Sequence, residues 1–217
     1  MKEIALKNKE VYVDDINFEK LMIIYGVALE KVRGILLTLQ EKTNKNSEYD
    51  VITNVFCRIK SPDSIIDKMI KKGYPLTYES LVENINDIAG LRIVCVSEKD
   101  VYKIAKEISK IEEINIIKKK DYIKKPKKSG YSAYHIIVEV PIYLENKRIW
   151  IKVEIQVRTS AMDFWANLEH GVNYKGASKM SKKDSRLLKV YARIISKINN
   201  NIVRMYKKNY QYIESKT

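Results

Sequence analysis

The sequence predicts an α/β (α+β) chain, a mixed β-sheet flanked by helices, and three observations carry that prediction. Runs with apolar residues spaced three and four apart are interleaved with short runs of strand length. Two strand-type runs, 132–141 and 148–158, follow each other with only a turn between them, as antiparallel neighbours do. Long periodic stretches at 18–41 and 182–213 place long helices at the N- and C-terminal ends. A single domain over 1–217 is expected, with its core at about 51–175.

Taken in order, 18–41 carries Leu21, Ile24, Tyr25, Ala28, Val32, Ile35, Leu36 and Leu39 on one helical stripe. KTNKNSEYD (42–50) reads as a polar loop and VITNVFCRIK (51–60) as a strand. Ser61 and Pro62 then mark a helix start and Gly73 its stop. A short helix is expected over 77–86, a buried strand at AGLRIVCV (89–96) and a helix at 98–110. A strand near 113–118 leads to a Lys-rich loop ending at Gly130. After the strand pair, joined by a turn around Glu145 and Asn146, helices are expected at about 160–172 and 182–213. Leu187, Leu188, Tyr191, Ile194, Ile195, Ile198, Ile202, Met205 and Tyr206 make the last one a packing surface suited to subunit assembly.

The longest apolar run, LMIIYGVAL (21–29), is too short to cross a bilayer. The first residues, MKEIALKNKEVYVDD, lack the apolar stretch of a secretory signal. A cytoplasmic protein without membrane contact is expected. Cys57 and Cys95 each lie in an apolar stretch and read as reduced core thiols; two cysteines and two histidines, widely spaced, offer no zinc signature. Net charge is +14 and the pI about 9.5, which favours polyanionic partners. Only eight of the 41 basic residues are Arg, so a general Lys bias explains much of that charge.

The seven glycines form no phosphate-binding loop, so side chains must hold any phosphate. Arg58 and Lys60 share a strand; Lys68 and Lys71 share a helix face; KKPKKSG follows at 124–130. Two carboxylates stand out: Asp87, just before AGLRIVCV, and Glu154, on the polar parity of IWIKVEIQVRT (149–159). An acid at a strand end beside one on a neighbouring strand suits Mg²⁺ carried with a nucleotide, provided the strands adjoin. In GYSAYH (130–135), Tyr131 offers a stacking face, and Lys127 and His135 offer phosphate contacts. Each cluster taken singly is also what a solvated face or a core would show.

The order RIK, DK, DIAGLRI, KKSGYSAYH, EIQVRT, FWANLEHGVNYK resembles the synthetase domain of RelA/SpoT-type alarmone synthetases. With no other domain attached, the chain resembles a small alarmone synthetase from about 51 to 175. The resemblance implies a nucleotidyltransferase-like sheet and transfer of the β,γ-pyrophosphate of ATP to the 3′-hydroxyl of GDP or GTP, with GMP a further candidate and AMP released. It implies that Arg58 and Arg92 sandwich adenine and that Lys60, Lys68 and Lys71 hold the ATP phosphates. Asp87 and Glu154 would bind Mg²⁺, with Glu154 also the general base. Tyr131 would stack on guanine, Lys127 and His135 would meet acceptor phosphates, and Gln156 would place the acceptor. Arg158 would support Glu154. Three positions depart from the family pattern: Ala133 stands for Ser, Lys71 for Arg, and Asp163 for Asn beside the guanine, where it would accept from the base.

The resemblance also implies a homo-oligomer, a tetramer through the terminal helices, with single-stranded RNA or the alarmone as possible regulators; no motif carries a regulatory site. The two histidines, His135 and His170, both fall in synthetase motifs, so no alarmone hydrolase activity is expected, and His170 and Lys175 read as structural. Two other readings fit parts of the sequence: a toxic synthetase that modifies the 3′ end of tRNA, and a non-catalytic RNA-binding protein.

Overall fold

The computed structural model describes the backbone of residues 2–6, 9–13, 17–144, 147–175 and 182–214. Side-chain surroundings are described for 17–144, 147–171 and 183–205, except 185 and 202. Strands β1 (Lys2–Leu6) and β2 (Lys9–Val13) form an antiparallel pair that the sequence reading did not anticipate. Helix α1 (Phe18–Lys45) follows, with the Asn17 side chain capping Lys20 N at 3.0 Å. Next come β3 (Ile52–Ile59), α2 (Pro62–Lys72), α3 (Tyr78–Asn84), β4 (Ala89–Cys95) and α4 (Glu98–Ile108). The chain continues through β5 (Asn115–Asp121), β6 (Tyr134–Leu144), β7 (Lys147–Thr159), α5 (Ser160–Lys175) and α6 (Lys182–Glu214). The turn expected at Glu145 and Asn146 lies outside the described residues, as do the side chains of Lys175, Ile202 and Tyr206.

Five strands make one mixed sheet in the order β3-β4-β7-β6-β5. β4 and β7 run parallel, pairing Gly90 with Glu154 and Arg92 with Gln156; the other pairings are antiparallel. The adjacency that the two carboxylates needed is therefore present. Period-two alternation gives the sheet two unlike faces. One carries Leu91, Ile93, Val153, Ile155, Val157 and Ile136, all at most 1% exposed and joined in one apolar cluster with α1, α2 and α4. Burial of each such side chain stabilises the fold by about 1.5–3 kcal/mol. α1 crosses β3, β4, β7 and β6, and Asn44 pins it to the first strand of the sheet by bonding both the N–H and the C=O of Ile52 (3.0 and 2.9 Å).

Local signals act as the sequence predicts. The Ser61 side chain caps α2, Pro62 opens it and Gly73, at φ 69°, ends it. Ser97 and Asp100 close a capping box on α4. Two expectations need correction. α1 runs on to Lys45, so the first four residues of the loop expected at 42–50 are helical, held there by the burial of Thr43. Cys95 is buried, but Cys57 is exposed, because β3 is an edge strand and α1 covers only part of it.

Candidate active site

The sheet's other face is the floor of an open cleft of about 980 Å³, walled by α2, α5 and the loop between β5 and β6. The register sets two rows of side chains across it. One runs Arg58, Gly90, Glu154; the other runs Phe56, Arg92, Gln156, His135. Gly90 puts no side chain between Arg58 and Glu154, so the floor is open there to a bound group.

At one end, Asp87 accepts from Lys68 Nζ at 2.7 Å and from Lys60 Nζ at 3.5 Å. Burial opposes ionisation of Asp87, but Lys68 and then Lys60 outweigh it and hold the carboxyl below its usual range. Lys60 is held in place by the ladder, since its N–H donates to Ile88 O at 2.8 Å.

At the other end a chain of polar contacts crosses the floor. Tyr131 Oη lies 2.8 Å from His135 Nε2, and His135 Nδ1 lies 2.9 Å from Glu154 Oε1. Gln156 Nε2 donates to Glu154 Oε2 at 2.7 Å, and Arg158 donates to Gln156 Oε1. Arg158 and Arg92 then share Asp163 Oδ1, at 3.4 and 2.9 Å. Arg92 ends the chain with its guanidinium 4.9 Å from the Phe56 ring centre. The chain is consistent in proton placement. Glu154 is ionised and can only accept, so Nδ1 carries the proton it receives, and Nε2 can take the O–H of Tyr131, whose phenol burial pushes up to about 12. Burial also works against the Glu154 charge, but His135 and Gln156 overcome it and lower its pKa. The result is an ionised, oriented carboxylate on the floor of a nucleotide-sized cleft.

The loop above this chain is tightly built. Asp121 Oδ1 accepts from Ile123 and Lys124 N–H, and Tyr122 N donates to Ala133 O at 2.9 Å. Lys127 Nζ lies 4.6 Å from the Tyr131 ring centre and 4.9 Å from that of Tyr122. Gly130, at φ 97°, passes so close to α6 that a Cβ would stand 3.1 Å from Ala192 Cβ.

A family model described as "Region found in RelA / SpoT proteins" matches residues 57–179. The chain belongs to this RelA/SpoT family. It is 35% identical to the GTP pyrophosphokinase YwaC of Bacillus subtilis over 86% of this chain and 89% of that one. It is also 35% identical to the GTP pyrophosphokinase YjbM of the same organism, over 79% and 80%. Its fold is similar to the Bacillus subtilis small alarmone synthetase 1 crystallised with its product pppGpp: TM-score 0.82, 29% identity, 89% of this chain and 98% of that one. Small alarmone synthetase 2 of the same organism gives TM-score 0.78 and 33% identity, over 89% and 100%. The mixed sheet flanked by helices is the RelA/SpoT synthetase fold.

Most of the predicted site residues meet in the cleft: Arg58, Lys68, Asp87, Arg92, Lys127, Tyr131, His135, Glu154 and Gln156 all line it. Lys60 stands behind Asp87. Lys71 is exposed and is not a lining residue, whereas Lys72 is. Asp163 is also not a lining residue; its carboxylate meets Arg92, Arg158 and Asn167. His135 is 6% exposed with both ring nitrogens engaged, a support for Glu154 rather than an open phosphate contact. Ala133 is fully buried, an apolar methyl at the position where the resemblance led to a serine. His170 is exposed and lines the cleft.

Sequence reasoning missed Phe56, Tyr122 and Lys72. Phe56 shares strand parity with Arg58, so that signal was present. Asp87, Glu154 and Glu169 are the carboxylates that line the cleft; among the described residues no group of three or more His, Cys, Asp or Glu side chains converges, and Asp87 and Glu154 are the two on or beside the adjoining strands β4 and β7. Two carboxylates fit Mg²⁺, which takes one or two from protein and the rest from phosphate and water.

Proposed function

We propose that this chain is a GTP pyrophosphokinase that makes guanosine alarmones, as the names of its RelA/SpoT relatives state for them. The 3′-hydroxyl oxygen of GDP or GTP attacks the β-phosphorus of ATP. The bond between the α,β-bridging oxygen and the β-phosphorus breaks, AMP leaves, and the hydroxyl proton passes to Glu154. The observation that carries this reading is the Tyr131–His135–Glu154 chain. It holds an ionised base on the floor beside an aromatic ring, where an acceptor nucleoside stacked on that ring brings its hydroxyl within reach.

On this reading Arg58 and Arg92 flank the adenine, and Phe56 adds an apolar surface under Arg92. Lys60, Lys68 and Lys72 take the donor phosphates; Lys71 supports them from outside the cleft. Tyr131 takes the guanine, and Lys127 swings from the ring toward the acceptor phosphates as the base enters. Gln156 fixes the second oxygen of Glu154. Asp87 and Glu154 would hold Mg²⁺, which neutralises charge on the transferring group. Self-association, as a tetramer by family resemblance, is supported by the exposed α6 stripe of Leu187, Val190, Tyr191, Ile194, Ile198 and Met205.

The test mixes the protein with γ-labelled ATP, Mg²⁺ and, separately, GMP, GDP, GTP or deacylated tRNA. Label on a guanine nucleotide with stoichiometric AMP is the expected result. Label on tRNA alone overturns the acceptor assignment. No transfer by folded protein that binds ATP overturns the enzyme reading in favour of an RNA-binding protein.

A further inference from the structure

The loop between β5 and β6 is built as a clip. Its first leg starts at Asp121, which accepts from the Tyr102 hydroxyl of α4 at 3.2 Å as well as from Ile123 and Lys124 N–H. Tyr122 N then ties that leg to Ala133 O at 2.9 Å. At the bend, Lys127 N donates to Tyr131 O at 3.0 Å and Gly130 N to Lys127 O at 2.9 Å. The clip sets Tyr122 and Tyr131 side by side, with ring centres 6.2 Å apart and planes at 70°. The His135 ring braces Tyr122 from 5.1 Å, nearly perpendicular at 88°. Tyr122 lines the cleft with Lys127, Tyr131 and His135.

Lys127 Nζ stands 4.6 Å from the Tyr131 ring centre and 4.9 Å from that of Tyr122. Lys127 forms no ion pair among the described residues. One ammonium thus has two aromatic seats at nearly equal reach. The seats differ in what else uses them. The Tyr131 ring also meets the Arg158 guanidinium at 5.7 Å and Trp165 at 6.5 Å, and an acceptor base stacked on it displaces the lysine. No second cation lies over the Tyr122 ring among the described residues. That seat stays open when the first is taken.

We propose that Tyr122 is a positioning residue of the acceptor site: its ring holds the Lys127 ammonium in the cleft once a base occupies Tyr131, so the lysine meets the acceptor phosphates as a placed charge. The proposal rests on the reading above that the acceptor nucleotide binds in this cleft on Tyr131. Tyr122 acts through Lys127 and needs no contact with the nucleotide. A lysine is a point charge on a flexible stem, and closing it on a phosphate costs rotamer freedom. A ring that already holds the ammonium lowers that cost. The gain is one of binding, so it falls on the acceptor KM and leaves kcat and the KM for ATP alone. It also needs phosphates on the acceptor, so a bare nucleoside does not feel it.

The experiment is a double-mutant cycle on acceptor binding. Wild type, Tyr122→Leu, Lys127→Met and the double variant are titrated by calorimetry with GDP and with guanosine, and initial rates are taken at varied GDP and varied ATP. Tyr122→Leu should raise the Kd and KM for GDP about tenfold, with kcat, the KM for ATP and the guanosine affinity held within about twofold. In the Lys127→Met background the same change should add nothing. Tyr122→Phe keeps the ring and should match wild type. Trifluorophenylalanine at position 122 keeps the shape but weakens the negative face, so it should fall between Phe and Leu; it decides the matter where the Leu variant melts early. Additive losses in the cycle overturn the proposal, as do equal losses for guanosine and GDP, or a fluorinated ring that binds GDP as Phe does. A loss in Tyr122→Phe as large as in Tyr122→Leu also overturns it, because the hydroxyl is then the contact. Wild-type protein that binds no GDP fails the acceptor reading and this one with it. Wild-type protein that binds GDP without transferring pyrophosphate sinks only the enzymatic reading, and the calorimetric cycle still decides.

Discussion

Asp163→Asn separates two accounts of the same residue. The family pattern puts position 163 beside the guanine; the structure puts the Asp163 carboxylate between two guanidiniums. The substitution keeps the shape and removes the charge. Arg158, with 5% of its side chain exposed, is then left with no carboxylate partner, and Arg92, at 31%, loses its 2.9 Å anchor. Burial works against the Arg158 charge and lowers its pKa, with Tyr131 and then Asp163 opposing that shift, so the substitution leaves a buried guanidinium less compensated.

Removing one member of a fully buried pair costs about 3–5 kcal/mol. Solvent at Arg92 and the 3.4 Å reach to Arg158 reduce that, and Oδ1 forms no aligned hydrogen bond to either guanidinium, so about 2 kcal/mol is expected. For 217 residues the unfolding entropy is roughly 0.46 kcal/mol/K, so the melting temperature should fall by about 4 °C. Arg92, freed from Asp163, loses its fixed position over Phe56. The KM for ATP should then rise roughly tenfold, equal to about 1.4 kcal/mol, with a smaller change in kcat. Thermal melts and initial rates at varied ATP and varied GDP read both effects, and Asp163→Glu should restore part of each. If the KM for GDP rises instead and that for ATP and the melting temperature hold, the carboxylate reads guanine and the ion-pair argument fails.

Three further outcomes follow from the same geometry. Glu154→Gln should keep ATP binding, measured by calorimetry, while transfer falls by about 10³-fold or more, since base and oriented carboxylate are lost together. Glu154 has a lowered pKa, so the stability its charge supplies is present above the ordinary glutamate value of 4.5 and is lost as pH falls through the lowered one. His135→Ala leaves Gln156 alone to oppose burial at Glu154, so the acid limb of kcat/KM should move to higher pH; a limb that stays put refutes the support role of His135. Gly130→Ala must place a Cβ 3.1 Å from Ala192 at φ 97°, costing about 1–3 kcal/mol. Denaturant melts should show that loss, with a raised acceptor KM because Tyr131 is the next residue.

The elements were legible where a single period governs them. The stripe of α1, the caps of α2 and the alternation of β7 each report a local preference, and local preference survives folding. Cys57 shows the limit, since an apolar neighbourhood in sequence says nothing about lying on an edge strand. The β1–β2 pair was missed because two five-residue runs rich in Lys and Glu carry no clear alternation. Lys71 and Lys72 differ by 100° around α2, and only the docking of that helix beside Asp87 brings the second to the cleft and leaves the first outside.

The site divides in the same way. Glu154, Gln156 and Arg158 were readable as a row because strand parity puts them on one face whatever else happens. What each touches was not readable, because partners come from strands and helices distant in sequence. His135 reaches Glu154 through the β6–β7 register, and Asp163 reaches Arg92 through the docking of α5 over β4. His135 and Asp163, two of the five residues expected at the acceptor, became links in a chain that starts at Tyr131 and ends at Arg92. That chain has a functional consequence of its own. It joins the ring proposed for guanine to the guanidinium proposed for adenine through the base between them. A donor that presses Arg92 onto Phe56 therefore pulls on Asp163, Arg158 and Gln156, and so on the carboxylate that must meet the acceptor hydroxyl. Neutralising position 163 should therefore reach Glu154 through Arg158 and Gln156, and a shifted acid limb of kcat/KM in Asp163→Asn would read it.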